Sequence, residues 1–213
     1  MRWAIVAPVI AVVIVAAVVV LALTLGTKSD AAHKSKIGAT TVAATGQVIS
    51  ARDGALSLTL PEGWRGADMS AGVTGVGAVL FPDDPTLATQ TEQRLAALPR
   101  AVVLFGIRPP VSPTFADNVN VLSDPTAPAG ESLDQIGPAE AHGIQIFGTV
   151  TDQGLIDLGG RSAYRIIYTT KISSGVAYII KGTQDTWVIT YSFGSSAADT
   201  DLADSSAMTF VAP

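Results

Sequence analysis

The side chains in this sequence that could carry out catalysis are histidine, serine, threonine and the acids, because the chain contains no cysteine. Of the two histidines, His142 is the one within the segment patterned as a folded domain. A histidine acts as a general base in hydrolysis when a nucleophile and an orienting carboxylate lie beside it. No Gly-x-Ser-x-Gly motif is present. The sequence therefore favours His142 as a surface residue, with a hydrolase as the less favoured hypothesis.

Motifs for metals and nucleotides are incomplete. Asp199, Asp201 and Asp204 lack the glycine and the closing glutamate of a calcium loop, so they fit the solvated face of a helix. The glycines of Gly72–Gly77 are not in the order of a dinucleotide or phosphate loop. This segment instead predicts a loop leading into a strand at Ala78–Phe81. We predict no cofactor, no metal site and no enzymatic activity.

Two asparagines lie in a segment with the pattern of a strand. Asn118 and Asn120 alternate with Val119 and Val121, so the asparagines share one face and the valines share the other. Asparagine is uncommon in strands. The pair either hydrogen-bonds a neighbouring loop or marks a binding surface, and the structural role is favoured.

The N-terminal segment has the composition of a membrane span. From Trp3 to Leu25 no residue is charged, and valine, isoleucine and leucine predominate. As a helix with a rise of ~1.5 Å per residue, this segment is long enough to cross a hydrocarbon core of ~30 Å. A cleaved signal peptide has a shorter apolar stretch, although cleavage near Ser29–Ala31 remains an alternative. We predict a transmembrane signal-anchor helix over residues 1–26.

The rest of the chain divides into a linker and one acidic domain. Residues 27–45 are rich in alanine, threonine, serine and lysine without periodicity, which predicts a flexible linker. Residues 46–213 are enough for one domain. All 18 acidic residues lie beyond Leu25, which argues against nucleic-acid binding. We expect the domain on the extracytoplasmic side of the cell membrane, which is the usual arrangement for a signal anchor. The positive-inside rule weakly favours the opposite orientation, because Arg2 precedes the predicted span and several lysines follow it.

The domain shows alternating helix and strand patterns. An Asp-Gly pair predicts a hairpin, a leucine stripe ending at Pro99 predicts a helix, and a continuous apolar run predicts a covered strand. The segment 132–147 predicts one helix, or two separated near Pro138. The last third predicts an antiparallel meander with strands at Leu155–Leu158, Arg161–Lys171, Val176–Lys181 and Trp187–Phe193, followed by a helix. The fold class is therefore α+β, with an antiparallel β-sheet sandwiched between helices, an α/β/α sandwich.

Five segments occur in a characteristic order over roughly Gln47 to Val211, namely Leu56–Trp64, Asn118–Val121, Gly159–Tyr164, Thr186–Tyr191 and Met208–Phe210. Together they resemble the PsbP-like superfamily and, within it, the actinobacterial LpqN-type envelope lipoproteins. The resemblance implies an α/β/α sandwich and a mostly non-catalytic role in binding partners. This chain differs from the lipoprotein members because an apolar helix replaces the lipidated cysteine.

The sequence therefore predicts a membrane-tethered, non-catalytic module that binds an envelope protein or complex. The alternative is an envelope protein that binds a lipid or carbohydrate in a pocket between the sheet and the helices, lined by residues such as Trp64 and Tyr164. The sequence does not single out interface residues. The predicted partners are an envelope protein and, through the N-terminal helix, the membrane.

Overall fold

The structure is a computed structural model that describes residues 44–98, 101–109, 115–124, 130–194 and 197–213. The predicted signal-anchor helix over residues 1–26 lies outside these ranges, as does the linker up to residue 43. Within the described ranges, no helix has the length and hydropathy needed to cross a membrane.

The described residues form nine strands and four helices. The strands are β1 (Val48–Ala51), β2 (Leu56–Thr59), β3 (Arg65–Asp68), β4 (Val102–Ile107), β5 (Asn118–Asp124), β6 (Thr149–Asp157), β7 (Ser162–Thr169), β8 (Ser174–Lys181) and β9 (Thr186–Phe193). The helices are α1 (Val76–Leu80), α2 (Pro85–Leu95), α3 (Leu133–Ile144) and α4 (Thr200–Ala207).

Seven of these strands form one antiparallel sheet in the order β3-β4-β5-β9-β8-β7-β6, and β1 and β2 form a separate hairpin. The predicted meander is confirmed, since β6 to β9 pair successively from one edge of the sheet to its centre. The register places Tyr164 opposite Ile179 and Tyr178 opposite Ile189. Sequence order and spatial order thus agree over the last third of the domain.

Each face of the large sheet is buried, but by different elements. On one face, side chains of α1, α2 and α3 pack against the sheet, and we call this the helical face. On the other, which we call the hairpin face, Leu56 and Leu58 of the hairpin and Ala203 of α4 are fully buried. The predicted α+β class with an antiparallel sheet is confirmed. The second outer layer, however, is a β-hairpin together with one helix rather than helices alone.

The structure contains the hairpin and the two helices that local sequence patterns predicted. Arg52 and Asp53 have positive φ angles of 53° and 57° in the turn between β1 and β2. Asp84 caps α2, because its Oδ1 accepts a hydrogen bond from the Leu87 backbone N–H at 2.9 Å. The segment 132–147 contains one continuous helix with Pro138 inside it, so the two-helix alternative is not formed.

The strand predicted at Ala78–Phe81 is wrong, because these residues belong mainly to helix α1. A short apolar run has no period that separates a strand from a buried helix. Here a tertiary contact determines that the segment is a helix. The backbones of α1 and α2 approach so closely that a Cβ at Gly77 would lie 2.1 Å from the Ala88 carbonyl oxygen. The glycine therefore lets α1 pack directly on the backbone of α2.

Candidate functional site

His142 lies in the last turn of α3 and is exposed to solvent. Among the residues that the structure describes, it makes no hydrogen bond or ion pair with another side chain. The hydrolase hypothesis required a serine or threonine and a carboxylate beside this imidazole. The structure does not bring such a set together at His142 within the described residues.

Trp64 and Tyr164 lie on opposite faces of the large sheet, so these two rings do not line one pocket between the sheet and the helices. The Trp64 ring packs edge-on against Tyr191 on the hairpin face, with ring centroids 6.5 Å apart. The Tyr164 ring lies beneath α3, where a Cβ at Gly137 would be 2.2 Å from Tyr164 Cγ. An open groove of about 500 Å³ does lie between α1 and strands β1 and β3, but neither ring lines it.

The two asparagines belong to a larger set of polar side chains at the centre of the sheet. Asn118 and Asn120 of β5 pair directly with Ser192 and Thr190 of β9. All four residues are 0% exposed. They alternate with residues such as Val119 that pack on the hairpin face, so they point to the helical face. The sequence predicted that the two asparagines share one face, without indicating which. We call these four residues the central polar strip.

Several polar atoms of the central polar strip have no hydrogen-bond partner in the part of the chain that the structure describes. The Asn118 Nδ2 donates to the Ala116 carbonyl oxygen at 3.1 Å, which gives this amide the structural role predicted. The Asn118 Oδ1, both amide atoms of Asn120 and the Thr190 Oγ1 lack such a bond. Each buried polar atom left in that state costs about 1–3 kcal/mol. Such atoms are rare in native proteins and commonly contact water or a ligand.

Tyr168 of β7 extends the central polar strip across β8. Its ring lies over Gly175, where a Cβ would be 2.4 Å from Tyr168 Cζ, so a larger residue there would displace the ring. Gly175 pairs with Ser192 in the neighbouring strand. Burial raises the pKa of Tyr168, and the Ser192 hydroxyl opposes that rise. The phenol therefore stays neutral at physiological pH.

The helices contact the sheet on either side of the central polar strip. Helix α1 packs on β3, whereas α3 packs on β6, β7 and β8. Strands β5 and β9, which carry the strip, lie between these two groups in the sheet order. The strip itself is fully covered, because all four of its residues are 0% exposed.

A second polar cluster lies at one end of the helical face. Glu140 of α3 is 6% exposed, and its Oε2 has no hydrogen-bond partner within the described residues. Burial, together with the charge of Asp124 at the end of β5, raises the pKa of Glu140 to about 8. The carboxyl group is therefore mostly protonated at neutral pH. The sequence contained a signal for its burial, because Glu140 lies midway between the buried Ile136 and Ile144 at helical spacing.

Asp204 is not on a solvated face, and this part of the sequence interpretation is wrong. It accepts one hydrogen bond from the Tyr178 hydroxyl and a second from Arg165 Nη1 at 2.8 Å. Asp199 instead caps α4 by accepting from the Leu202 backbone N–H at 3.1 Å. No cluster of three or more potential metal ligands occurs among the residues described. The Asp204 contacts therefore attach α4 to the sheet.

The two edges of the large sheet differ in how they are protected. The β3 edge is four residues long and is flanked by β1. The side chain of Gln47, the residue before β1, also accepts a hydrogen bond from the Gly66 N–H at 3.2 Å. The β6 edge is nine residues long and pairs with β7 on one side only. Within the described ranges no strand lies on its outer side. An unpaired edge of this kind exposes backbone donors and acceptors to a partner strand.

No protein-family model matches this chain, and no curated protein matches it. The solved structures that are similar to it include the following three. The solution structure of cyanobacterial PsbP (CyanoP) from Synechocystis sp. PCC 6803 is 15% identical with a TM-score of 0.44, and the match covers 85% of this chain and 98% of that one. A crystal structure from Bacteroides thetaiotaomicron is 9% identical with a TM-score of 0.42, over 79% of this chain.

The third similar structure is that of PA94, a protein of unknown function from Pseudomonas aeruginosa. It is 11% identical with a TM-score of 0.37, and the match covers 46% of this chain and 70% of PA94. This chain spans about half of the Bacteroides protein, 48% of its length. At these TM-scores the three similarities assign neither a family nor a function to the chain.

Proposed function

We propose that this protein is a non-catalytic binding module, tethered to the cell membrane by its N-terminal segment, that engages an envelope protein through the outer edge of β6. The single observation that carries this proposal is the outer edge of β6, which is nine residues long, has a register shift between Val150 and Asp152, and pairs with no strand on its outer side among the described residues. The tether and the extracytoplasmic placement rest on the uncharged stretch from Trp3 to Leu25. We also propose that the protein is an LpqN-type member of the PsbP-like superfamily. The support for this assignment is the set of five sequence segments given above.

The exposure of β6 suits addition of a partner strand. Leu155 is 51% exposed although it lies within a strand, and Gly154 beside it has open space where a side chain would be. A strand added at a sheet edge gains affinity from backbone hydrogen bonds and specificity from alternate side chains. Leu155 would then be covered by an apolar side chain of the partner.

Charge indicates what kind of segment binds there. Strand β6 contains Asp152 and Asp157 and no basic residue. Asp152 is only partly compensated by Arg165 at 3.6 Å, and its side chain remains 63% exposed. The whole chain has a formal net charge of -5. We therefore infer that the partner contributes an extended segment with basic side chains beside an apolar one.

A lipid- or carbohydrate-binding role, the alternative from the sequence, is a second candidate with its own observation. Its support is the open groove of about 500 Å³ between α1 and strands β1 and β3, which Trp64 and Tyr164 do not line. The two candidates use different parts of the domain, because this groove lies beside β3 at one edge of the large sheet and β6 is the other edge.

A photo-crosslinking side chain at position 155 tests the β6 proposal in the full-length protein. We expect Leu155→p-benzoylphenylalanine to give one discrete adduct with an envelope protein on irradiation of intact cells. The same substitution at Ile172, which is 54% exposed in the turn after β7, is the matched control. We expect at least tenfold less adduct there. Equal yields at both positions, or no adduct at position 155, would contradict the proposal.

A further inference from the structure

We propose that the open groove between α1 and strands β1 and β3 binds an extended, basic peptide segment that pairs with the outer edge of β1. The inference goes beyond the proposed function, because this groove lies at the opposite edge of the large sheet from β6. It gives the groove a different occupant from the second candidate function, so its test distinguishes a peptide from a lipid or a carbohydrate. A module with both sites would hold two extended segments at once.

The groove is open to solvent and large enough for part of a strand. Val48 of β1 and Val79 of α1 line it and are 61% and 55% exposed. A strand takes about 4.8 Å beside its neighbour, about 10 Å across its two faces and about 3.3 Å along its length for each residue, which is roughly 160 Å³ per residue. The groove of about 500 Å³ therefore has room for about three residues of a strand.

The backbone of β1 has one side available for pairing. Among the described residues, β1 pairs with β2 only. The Leu60 N–H donates to the Gln47 carbonyl oxygen at 2.8 Å, so the backbone of Gln47 faces β2. Because backbone groups alternate in direction along an antiparallel strand, the N–H and C=O groups of Val48 and Ser50 face away from β2. Both residues line the groove, so these groups are directed towards it.

One hydrogen bond in the groove already resembles strand pairing. The Gly66 N–H of β3 donates to the Gln47 Oε1 at 3.2 Å, and both residues line the groove. A side-chain amide oxygen thus takes the place that a backbone carbonyl of a neighbouring strand would have. The bond also satisfies part of the β3 edge, which leaves β1 as the edge to which a further strand adds.

Charge and side-chain size define the ligand. Asp68 of β3 is exposed, and it is the one charged side chain that lines the groove within the part of the chain described by the structure. Because the whole chain has a formal net charge of -5, a basic segment is attracted to this surface. Ala67 and Val76 also line the groove and are small and apolar. An added strand would direct an apolar side chain towards them and a lysine or arginine towards Asp68.

The variant Ser50→Pro tests pairing with β1 directly. Proline removes the N–H that faces the groove, leaves the groups that bond β2 in place, and is tolerated at sheet edges. Ser50→Ala is the matched control, because it removes an exposed hydroxyl and keeps the N–H. Asp68→Asn removes the charge and retains an oxygen that can accept from the Ser70 N–H, as the Asp68 Oδ1 does at 2.7 Å. This third variant gives a test that is independent of how the proline variant folds.

The probes are peptides selected from a displayed library of random dodecapeptides on the full-length protein in lipid nanodiscs. We expect the selected sequences to alternate apolar residues with at least one lysine or arginine. Fluorescence anisotropy should show binding that is about tenfold weaker for Ser50→Pro, about threefold weaker for Asp68→Asn and unchanged for Ser50→Ala. Hydrogen exchange should slow at the amides of Val48 and Ser50 when peptide is bound, and β6 should be unaffected.

Four results would overturn the inference. The first is a selection that yields no binding peptide, and the second is a peptide whose affinity is the same for the wild type and either Ser50→Pro or Asp68→Asn. The third is protection of Thr149–Asp157 instead of β1, which would leave the proposed function standing. The fourth is protection of β1 by D-glucose, or by dihexanoylphosphatidylcholine below its micellar concentration, with no protection by peptide. That result would assign the groove to the second candidate function.

Discussion

Replacement of Asp204 with alanine is expected to lower the free energy of unfolding by about 2–4 kcal/mol. The carboxylate receives hydrogen bonds from Arg165 and from the Tyr178 hydroxyl, and the Arg165 and Asp204 side chains are 23% and 19% exposed. Burial and the Asp204 charge raise the pKa of Tyr178, so its hydroxyl remains a donor. Loss of the carboxylate removes the acceptor of the Tyr178 hydroxyl beneath α4 and leaves Arg165 with only the more distant and more exposed Asp152. Urea denaturation at pH 7, followed by far-ultraviolet circular dichroism, measures the effect.

Asp201→Ala is the matched control for Asp204→Ala. Asp201 lies on the same helix, in its first turn, and is exposed. Its removal should cost less than about 1 kcal/mol, the contribution of a charge near a helix N-terminus. Equal losses for the two variants would show that the Asp204 contacts do not attach α4 to the sheet.

The wild-type domain is expected to lose stability as the pH rises from 5 to 9 because of Glu140. The pKa of this carboxyl group is about 8 in the folded state against 4.5 for an exposed glutamate. Between these values the folded state binds the proton and the unfolded state does not. Stability therefore falls with rising pH, since deprotonation places a charge in a buried site beside Asp124. The shift corresponds to on the order of 4 kcal/mol.

Glu140→Gln should remove most of this pH dependence, because glutamine has the same shape and does not titrate. We expect the variant to exceed the wild type in stability at pH 9 and to match it near pH 5. Glu62→Gln, at an exposed position, is the control and should follow the wild-type profile. Urea denaturation at several pH values measures the slope. Parallel profiles for Glu140→Gln and the wild type would contradict the assignment.

The parts of the fold that the sequence predicted are those with long periodic patterns. Strands β7 to β9 have eight residues each with alternating or continuous apolar residues, and glycine-containing turns separate them. Helix α2 carries its own cap at Asp84 and a proline at its first position. Local chemistry is sufficient in these segments because every signal favours the same structure.

The elements that were missed depend on contacts distant in sequence. Strand β3 is four residues with Arg65 and Asp68 at its ends, and it forms because it pairs with β4. Helix α1 forms where a run of five residues packs on α2 through Gly77. Such short segments contain no periodic signal, so tertiary contact determines their structure.

The candidate site was predictable in part. Alternation correctly placed Asn118 and Asn120 on one face of β5, but Thr190 and Ser192 join them only through the pairing of β5 with β9. Strand pairing across a long stretch of sequence cannot be derived from local pattern alone. For the same reason, only the structure could identify the partners of Asp204 and the faces of the sheet on which Trp64 and Tyr164 lie.

Hydrogen exchange at the backbone amides of β6 is the most direct test of the proposed docking edge. The full-length protein would be compared alone and in the complex with the protein captured through position 155. We predict that outward-facing amides within Thr149–Asp157 exchange at least tenfold more slowly in the complex, while amides in the turn around Ile172 are unchanged. Unchanged exchange in β6, with protection elsewhere on the domain, would contradict the assignment of this edge as the binding surface.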